Sequence, residues 1–455
     1  MPAALKPIVV AIDMGYGHLR PAHAIAERLG VPVFDVDRPP LATSQDAALW
    51  TWVRRYYEGL SRASQYPLVG PPMRSLLNTL TDIGSLYSVR DQSRADLGTY
   101  VLERMIRRGL GKSLVEHLER ENSVLVTTFF MPAVAADRLG YPHIFCIVTD
   151  SDIHRVWAPI DPVNTRITYL VPTQRTRRRL RAYGVPSERI QVTGFPLPHE
   201  LVGGTELTAL KQNLARRLVR LDPTGAFRDD QRHGIQLFLG ELPEPSEVGR
   251  AVHLTYAVGG AGAQVGLVAE FLPSLRALIA DGRLRVSLVA GIRPEVAEAL
   301  GKCVMDVGLG RQLGAGGGIQ ILVRESFSDY LRDFNALLAD TDVLWTKPSE
   351  MTFFAGLGLP LIFSWPVGIH ERYNRGWAME AGAGLKQRDP KYAAEWLKDW
   401  LKDGTLAAAA WAGFTRLPQF GLYQVIEAVS SSTSRTNGQR QGPKTGSPDG
   451  WLSEG

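Results

Sequence analysis

Short runs of β-branched residues alternate with helical segments along most of this chain, and two of these runs lead into a glycine turn that opens a helix. The turns are GYGH at 15–18 and GGAGA at 259–263. Alternation of this kind is typical of a parallel sheet whose strands are joined by crossover helices. Its repetition within 455 residues, more than one hydrophobic core supports, predicts an α/β fold with two Rossmann-like, doubly wound parallel-sheet domains.

Apolar runs bounded by polar turns give the strand candidates. They lie at 8–13, 31–37, 123–130, 143–150, 167–173, 190–196, 253–260, 285–291, 318–323, 342–348 and 359–366. Prolines and glycines near residue 200 predict an N-terminal domain at 1–200, with a mostly helical insertion at 41–120, and a C-terminal domain at 201–429. Residues 430–455 are rich in Ser, Thr, Gly and Gln, which predicts a disordered tail.

Composition narrows the functional classes. A net charge of +5 is modest, and we expect no nucleic-acid partner, although local arginine runs fit either a solvated helix face or an anionic ligand. No stretch approaches the ~20 apolar residues of a membrane span, and the first apolar run is broken by Asp13, unlike a signal peptide. The expected location is therefore cytoplasmic.

The first glycine turn is a candidate site, because open parallel sheets bind ligands beyond the carboxyl ends of their strands. Gly15 and Gly17 allow a sharp turn and close approach of a ligand, and His18 follows at a helix N-terminus. The helix dipole there favours a neutral imidazole that can accept a proton near pH 7. A structural cap is the alternative interpretation.

The second glycine turn suits a diphosphate. Backbone amides around Gly259, Gly260 and Gly262 at a helix start would face the phosphates. A dinucleotide site would add an acidic ribose partner about 20 residues downstream, and this region offers only Asp281, too early for that role. We therefore expect no NAD and no other cofactor.

Longer motifs carry a family resemblance. They are GYGH, GGAGA, TDSDIHRVW at 149–157, YLVPTQRTRRRLRAYGVPSERIQVTGFPL at 169–197 and WTKPSEMTFFAGLGLPLIFSWPVGIHERYNRGWAMEAGAG at 345–384. In this order they resemble glycosyltransferase family 28, which includes the monogalactosyldiacylglycerol synthases, the processive diacylglycerol glucosyltransferases and the GlcNAc transferase of peptidoglycan lipid synthesis. The resemblance spans roughly residues 8–385 and implies the GT-B fold, with helices around 407–428 returning onto the first domain.

The resemblance also implies a reaction. It is the inverting, metal-independent transfer of a sugar from a nucleotide donor, taken as UDP-linked, to a lipid-borne or amphipathic acceptor hydroxyl. His18 or Asp150 would be the base, and His154 and Trp157 would shape the acceptor pocket, although both could instead pack a helix start. Asp150 and Asp152 have the spacing of a metal-binding pair but follow the family's Thr-Asp segment, so we interpret them as pocket residues.

On the donor side the match is incomplete. Lys347 is a candidate partner of the leaving group, and Glu371 and Asn374 match residues that hold sugar hydroxyls, although Glu371 also suits a helix first turn. Ser349 and Glu350 stand where the family has glycines, and Phe353 stands where its ribose-binding Glu would be. Either Glu350 binds the ribose from a shifted frame, or the donor is held differently.

The segment 50–80 interleaves aromatic and basic residues, beginning with Trp50, Trp52, Arg54 and Arg55. Such helices lie at bilayer interfaces, which predicts peripheral contact with an anionic membrane, although the same composition could cover a groove inside the protein. Two rival functions stay open. One is a sugar-nucleotide 2-epimerase, which would need extra acidic residues around the sugar, and the other is a non-catalytic sugar-nucleotide binder.

Overall fold

The chain folds around two six-stranded parallel sheets. The computed structural model describes residues 5–13, 15–44, 46–51, 83–87, 89–249, 251–257, 264–314, 316–366 and 368–434. The glycines of the second turn, Gly259, Gly260 and Gly262, and most of the segment 50–80 lie outside these ranges.

The first sheet has strand order β2-β1-β3-β4-β5-β6. Its strands are β1 Lys6–Ala11, β2 Val33–Asp35, β3 Ser123–Thr127, β4 Ile144–Ile147, β5 Ile167–Val171 and β6 Ile190–Val192. The longer helices around it are α1 Tyr16–Leu29, α2 Leu97–Arg107, α3 Lys112–Arg120, α4 Phe130–Arg138 and α5 Gln174–Ala182. Both faces are covered, since Val9 and Ala11 pack in one hydrophobic cluster and Ile8 and Val10 in another.

A helical connection leads from β6 to the second sheet. It contains α6 His199–Val202, α7 Thr208–Leu221, α8 Ala226–Asp230, α9 Arg232–Leu239 and α10 Pro245–Val248. The predicted domain limit near residue 200 falls inside this connection and stays a prediction.

The second sheet has strand order β12-β11-β10-β7-β8-β9. Its strands are β7 Val252–Ala257, β8 Leu284–Gly291, β9 Ile319–Val323, β10 Val343–Thr346, β11 Leu361–Phe363 and β12 Gly384–Lys386. Its helices are α11 Gly266–Ala280, α12 Pro294–Asp306, α13 Phe327–Asp340, α14 Ile369–Glu380, α15 Ala393–Lys402 and α16 Thr405–Arg416. Counted from β7, this is the Rossmann order 3-2-1-4-5-6. The two doubly wound sheets confirm the predicted GT-B fold class.

The last described helix, α17 Gly421–Ser434, returns to the first sheet, where it packs against α1, β1 and β3. A Cβ at Gly421 would lie 2.1 Å from the Phe195 carbonyl oxygen, so this crossing requires glycine. The expected return is therefore seen for α17, while α16 packs against α7 and α15 instead. The disordered-tail prediction is wrong for residues 430–434, which are helical, and residues 435–455 lie outside the described ranges.

Trp50 corrects the expectation of an exposed aromatic–basic surface. Its side chain has no exposed surface and packs in the core beside the first sheet. Trp52, Arg54 and Arg55 lie outside the described residues. No described helix is long and apolar enough to cross a bilayer.

Candidate functional site

Strand order identifies where a site should form. In the first sheet the order reverses between β1 and β3, and in the second between β7 and β10. Crevices beyond the carboxyl ends of strands at such switch points are where open α/β sheets bind ligands. The turn after β1 carries His18, and the loop after β10 carries Lys347, so each switch point holds one predicted residue.

His18 lies in the first turn of α1, after Gly15, whose φ of 118° suits glycine. Its Nδ1 is 2.9 Å from the Thr128 carbonyl oxygen and 3.2 Å from the Thr149 hydroxyl oxygen. Because a carbonyl oxygen only accepts, Nδ1 carries the hydrogen, and Nε2 is left as the basic nitrogen. The Thr128 hydroxyl donates to the His18 carbonyl at 2.8 Å, which ties α1 to the end of β3.

Burial lowers the pKa of His18 below its ordinary value of 6.5, against the opposing charges of Asp150 and Glu350 and the Thr128 hydrogen bond. His370 also lowers it. His18 is therefore neutral at pH 7, as the sequence predicted, although desolvation is the principal cause in the structure. A neutral imidazole with a fixed tautomer can take a proton from a hydroxyl group.

Aromatic side chains pack on one side of the His18 ring. The Phe129 ring meets it edge-on at 4.7 Å between centroids, and the Trp157 ring lies at 6.4 Å. Trp157 is buried in a short 3-10 turn at 155–157. His154 immediately precedes this turn, half-buried, with its ring 6.1 Å from that of His370. Trp157 therefore lies near His18, and His154 lies beside His370, whose charge acts on His18 from the second-sheet side.

Asn374, on α14, bridges the two sheets. Its side-chain nitrogen donates to the Asp150 carboxylate at 2.9 Å, and its side-chain oxygen accepts from the Ser151 backbone N–H at 2.8 Å. The same nitrogen is 3.3 Å from the Pro348 carbonyl oxygen. Asn374 is fully buried, so residues predicted for opposite sides of the cleft are in direct contact.

Lys347 forms an ion pair with Glu371, with 2.8 Å between Nζ and Oε1. The pKa of Lys347 is raised mainly by the Glu371 charge, against desolvation, and Glu350 and Asp150 raise it further. Lys347 is therefore firmly cationic.

Glu350 is directed toward the first sheet. Its carboxylate is 3.3 Å from Arg20 Nε, and both side chains are over nine-tenths buried. A Cβ at Gly17 would lie 3.3 Å from Glu350 Oε2, so the first glycine turn lets this carboxylate approach. Of the two alternatives for the altered loop, this geometry favours a donor held by other groups. Ser349 is half-buried beside it, and Phe353 stacks on Phe195 in the core.

Asp152 is not a pocket residue, contrary to the sequence interpretation. Its carboxylate is fully buried and bound by Arg179 at 2.7 Å and Arg175 at 2.8 Å, which fix α5 against this loop. Among the described residues there is no group of three His, Cys, Asp or Glu side chains arranged to hold a metal ion.

Neither Arg20 nor His370 was predicted from the sequence. A signal existed for each, since Arg20 is a charged residue on an otherwise apolar stripe of α1, and His370 directly precedes the predicted Glu371. Neither signal specifies a partner, because the contacts of both residues cross between the sheets.

Part of the chain matches a family model, and most of it is similar to solved structures. Residues 245–430 match the model of a family described as Domain of unknown function (DUF6938). No curated protein matches the chain. Similar solved structures include Acinetobacter baumannii MurG, with 14% identity and a TM-score of 0.48, covering 94% of this chain and 99% of that chain.

Two further structures are similar to the chain over comparable lengths. UDP-GlcNAc 2-epimerase from Neisseria meningitidis, bound to UDP-GlcNAc, has 12% identity and a TM-score of 0.48, with 94% and 99% coverage. Glycosyltransferase SnogD from Streptomyces nogalater has 12% identity and a TM-score of 0.43, with the same coverage. The functions in these names belong to the similar proteins. The function of this chain is inferred from its own residues.

Proposed function

We propose that this protein transfers a sugar from a UDP-linked donor to an acceptor hydroxyl. The observation that carries the proposal is that the two switch points share charged groups: Asp150 and Glu350 act on the pKa of both neutral His18 and cationic Lys347. Asn374 joins Asp150 to the loop after β10, where Lys347 pairs with Glu371. Sugar transfer from a diphosphate requires a base for the acceptor hydroxyl and a cation for the leaving group.

In the proposed reaction, His18 Nε2 takes the proton of the acceptor hydroxyl as its oxygen attacks the anomeric carbon. The bond from that carbon to the diphosphate oxygen breaks, and its electron pair leaves with the diphosphate. Lys347 would stabilise the negative charge on the leaving group, together with the backbone amides that the sequence predicts at 259–263. Inversion, metal independence and the UDP base follow from the family resemblance alone.

Donor binding would replace contacts that the site residues make with one another. Lys347 would turn from Glu371 to a phosphate, and Glu371 and Asn374 would turn from Lys347 and Asp150 to sugar hydroxyls. Lys347 would keep a charge-assisted hydrogen bond, since a phosphate replaces a carboxylate, and Glu371 would accept charge-assisted hydrogen bonds from the sugar hydroxyls.

A lipid-borne or amphipathic acceptor is supported by one face of α2. Leu97, Tyr100 and Val101 are exposed at helical spacing, and Arg104 and Arg108 continue the same stripe. An apolar patch followed by a basic one complements an anionic membrane surface. We propose that the protein works in the cytoplasm, with peripheral membrane contact through this face.

A 2-epimerase is the second candidate, and one observation favours it. Lys347 pairs with Glu371, and the charges of Glu350 and Asp150 also raise its pKa, so the site holds the additional acidic groups that this reaction would require. Epimerisation removes and returns the proton on the carbon next to the anomeric carbon. Deuterium from solvent would therefore enter a UDP-sugar in the absence of any acceptor.

The test is ligand stabilisation followed by product analysis. UDP-, GDP- and dTDP-sugars are screened by thermal unfolding, where a ligand at 100 times its Kd adds about 2.7 kcal/mol. We expect stabilisation by the UDP series and glycoside formation with a lipid acceptor. A flat response to all the nucleotides would contradict the proposal, deuterium uptake without an acceptor would favour the epimerase, and binding without either reaction would favour a non-catalytic binder.

A further inference from the structure

We infer that Arg20 is a positioning residue of the candidate site, whose ion pair with Glu350 holds His18 in register with the loop that carries Lys347. The inference depends on the proposed function, because the register matters only if the two residues act on one donor and acceptor. Arg20 follows His18 by two residues on α1, yet its guanidinium group lies among residues of the second-sheet side.

The surroundings of Arg20 show a group held in place rather than one facing solvent. Only 5% of the side chain is exposed. Its Nε pairs with Glu350 at 3.3 Å, its Nη2 donates to the Tyr330 hydroxyl, and its guanidinium carbon lies 4.3 Å from the Phe334 ring centroid. Burial raises the pKa of Tyr330 to about 12, so this hydroxyl is neutral at pH 7 and adds no negative charge. Among these contacts, Glu350 alone supplies the countercharge.

Packing alone does not account for a charged residue here. Arg20 Nε and Nη1 are buried and have no hydrogen-bond partner among the described residues, so the contact with Glu350 is an ion pair without a hydrogen bond. A buried ion pair with an unsatisfied donor is usually less stabilising than well-packed apolar side chains of similar volume. The arrangement therefore favours a role that needs a specific geometry and a charge.

Glu350 fixes that geometry by contacting two residues close to His18 on α1. Glu350 contacts Arg20 on one side and lies against Gly17 on the other. Because Glu350 follows Lys347 by three residues, the carboxylate connects the helix that carries the proposed base to the loop that carries the proposed leaving-group cation. A shift of about 1 Å between two such groups can lower turnover by about 100-fold.

The pair also affects the proton affinity of His18. Glu350 and Asp150 raise the pKa of His18, and His370 lowers it. Removing the Arg20 cation should raise this pKa, because the Glu350 charge is then uncompensated, whereas removing the Glu350 charge should lower it. Loss of packing alone would not shift the pKa in opposite directions.

The experiment is an NMR titration of His18 in the whole protein, without nucleotide, for wild type, Arg20→Met, Glu350→Gln and Arg20→Lys. Arg220→Met is the matched control, since only 7% of the Arg220 side chain is exposed and it forms an ion pair with Asp342 at 2.8 Å on the second-sheet side. We expect a raised His18 pKa in Arg20→Met, a lowered one in Glu350→Gln, and values near wild type in Arg20→Lys and the control.

Turnover with the donor found by thermal unfolding completes the test. We expect Arg20→Met to lower kcat by about 10- to 100-fold and Arg20→Lys to restore most of it. An unchanged His18 pKa in both Arg20→Met and Glu350→Gln, or wild-type kcat in Arg20→Met, would overturn the inference. Should no nucleotide bind even the wild type, the proposed function fails, while the His18 titration still reports whether the pair acts on His18.

Discussion

Asn374 and Asp150 are joined side chain to side chain across the two sheets, with the Asn374 nitrogen donating to the Asp150 carboxylate at 2.9 Å. Asn374 also accepts from the Ser151 backbone N–H, so one carboxamide fixes two consecutive residues of the loop after β4. This contact places a predicted donor residue against a predicted catalytic one.

Asn374→Asp should destabilise the contact. A carboxylate facing Asp150 replaces a hydrogen bond with repulsion between like charges, and losing a buried hydrogen-bonding partner costs about 1–3 kcal/mol. Asn374→Asp combined with Asp150→Asn exchanges the two groups and should recover much of the lost stability. Urea unfolding of the four proteins measures the coupling, and strictly additive effects would show that the two side chains do not interact.

Stability should fall as the pH drops below about 6.5. Burial lowers the pKa of His18, and also those of His23 and His143, so the unfolded chain binds more protons than the folded one in this window. Their contribution is complete above pH 6.5 and is lost as the pH falls through the lowered values. His18→Gln should make the free energy of unfolding fall less between pH 7 and pH 5.5. An unchanged dependence of this free energy on pH would show that the His18 imidazole is charged or exposed in the folded wild type.

Trp50→Ala should cost about 3–5 kcal/mol, because the ring is fully buried in the core beside the first sheet. Trp365→Ala is the matched control, since that ring is 69% exposed and its loss should change stability by about 0.5 kcal/mol or less. Equal, small changes in stability in both variants would show that Trp50 is exposed, as predicted from the sequence.

Membrane binding should depend on α2. Replacing Arg104 and Arg108 by Glu should weaken co-sedimentation with anionic vesicles by about 1 kcal/mol per lost positive charge or more, and high salt should weaken binding by the wild type. Val163→Ser is the control, since Val163 is exposed outside α2. Arg54→Glu with Arg55→Glu tests the membrane contact that the sequence predicts for the 50–80 segment. Loss of binding in that variant alone would show that this segment, and not α2, binds the membrane.

The sequence predicted the sheets well and the contacts between them poorly. Each predicted strand run overlaps a strand of the structure, because buried parallel strands are continuous apolar runs. β12 was missed because Gly384, Leu385 and Lys386 form a short run with no β-branched residue. Trp50 was misassigned because an aromatic–basic composition does not specify which face of a helix is buried.

The candidate site shows the same contrast between local features, which could be predicted, and contacts between the sheets, which could not. His18 could be singled out because it follows a strand and a glycine turn, which are local features, and Lys347 because it stands in the Lys-Pro loop of the family resemblance. The partner of Glu350 could not be predicted, because Arg20 lies 330 positions earlier and the contact depends on how the two sheets pack. The direction of the Glu350 carboxylate was therefore left open between two alternatives.

The most direct test of the proposed function is donor binding and turnover measured side by side in wild type and His18→Ala. His18 contacts Thr128 and Thr149 rather than the proposed donor residues, so donor affinity should stay within a few-fold of wild type. Turnover should fall by about 10²- to 10⁴-fold, the scale expected for loss of a general base. Wild-type turnover in His18→Ala would contradict the account, because the neutral imidazole would then have no part in the reaction.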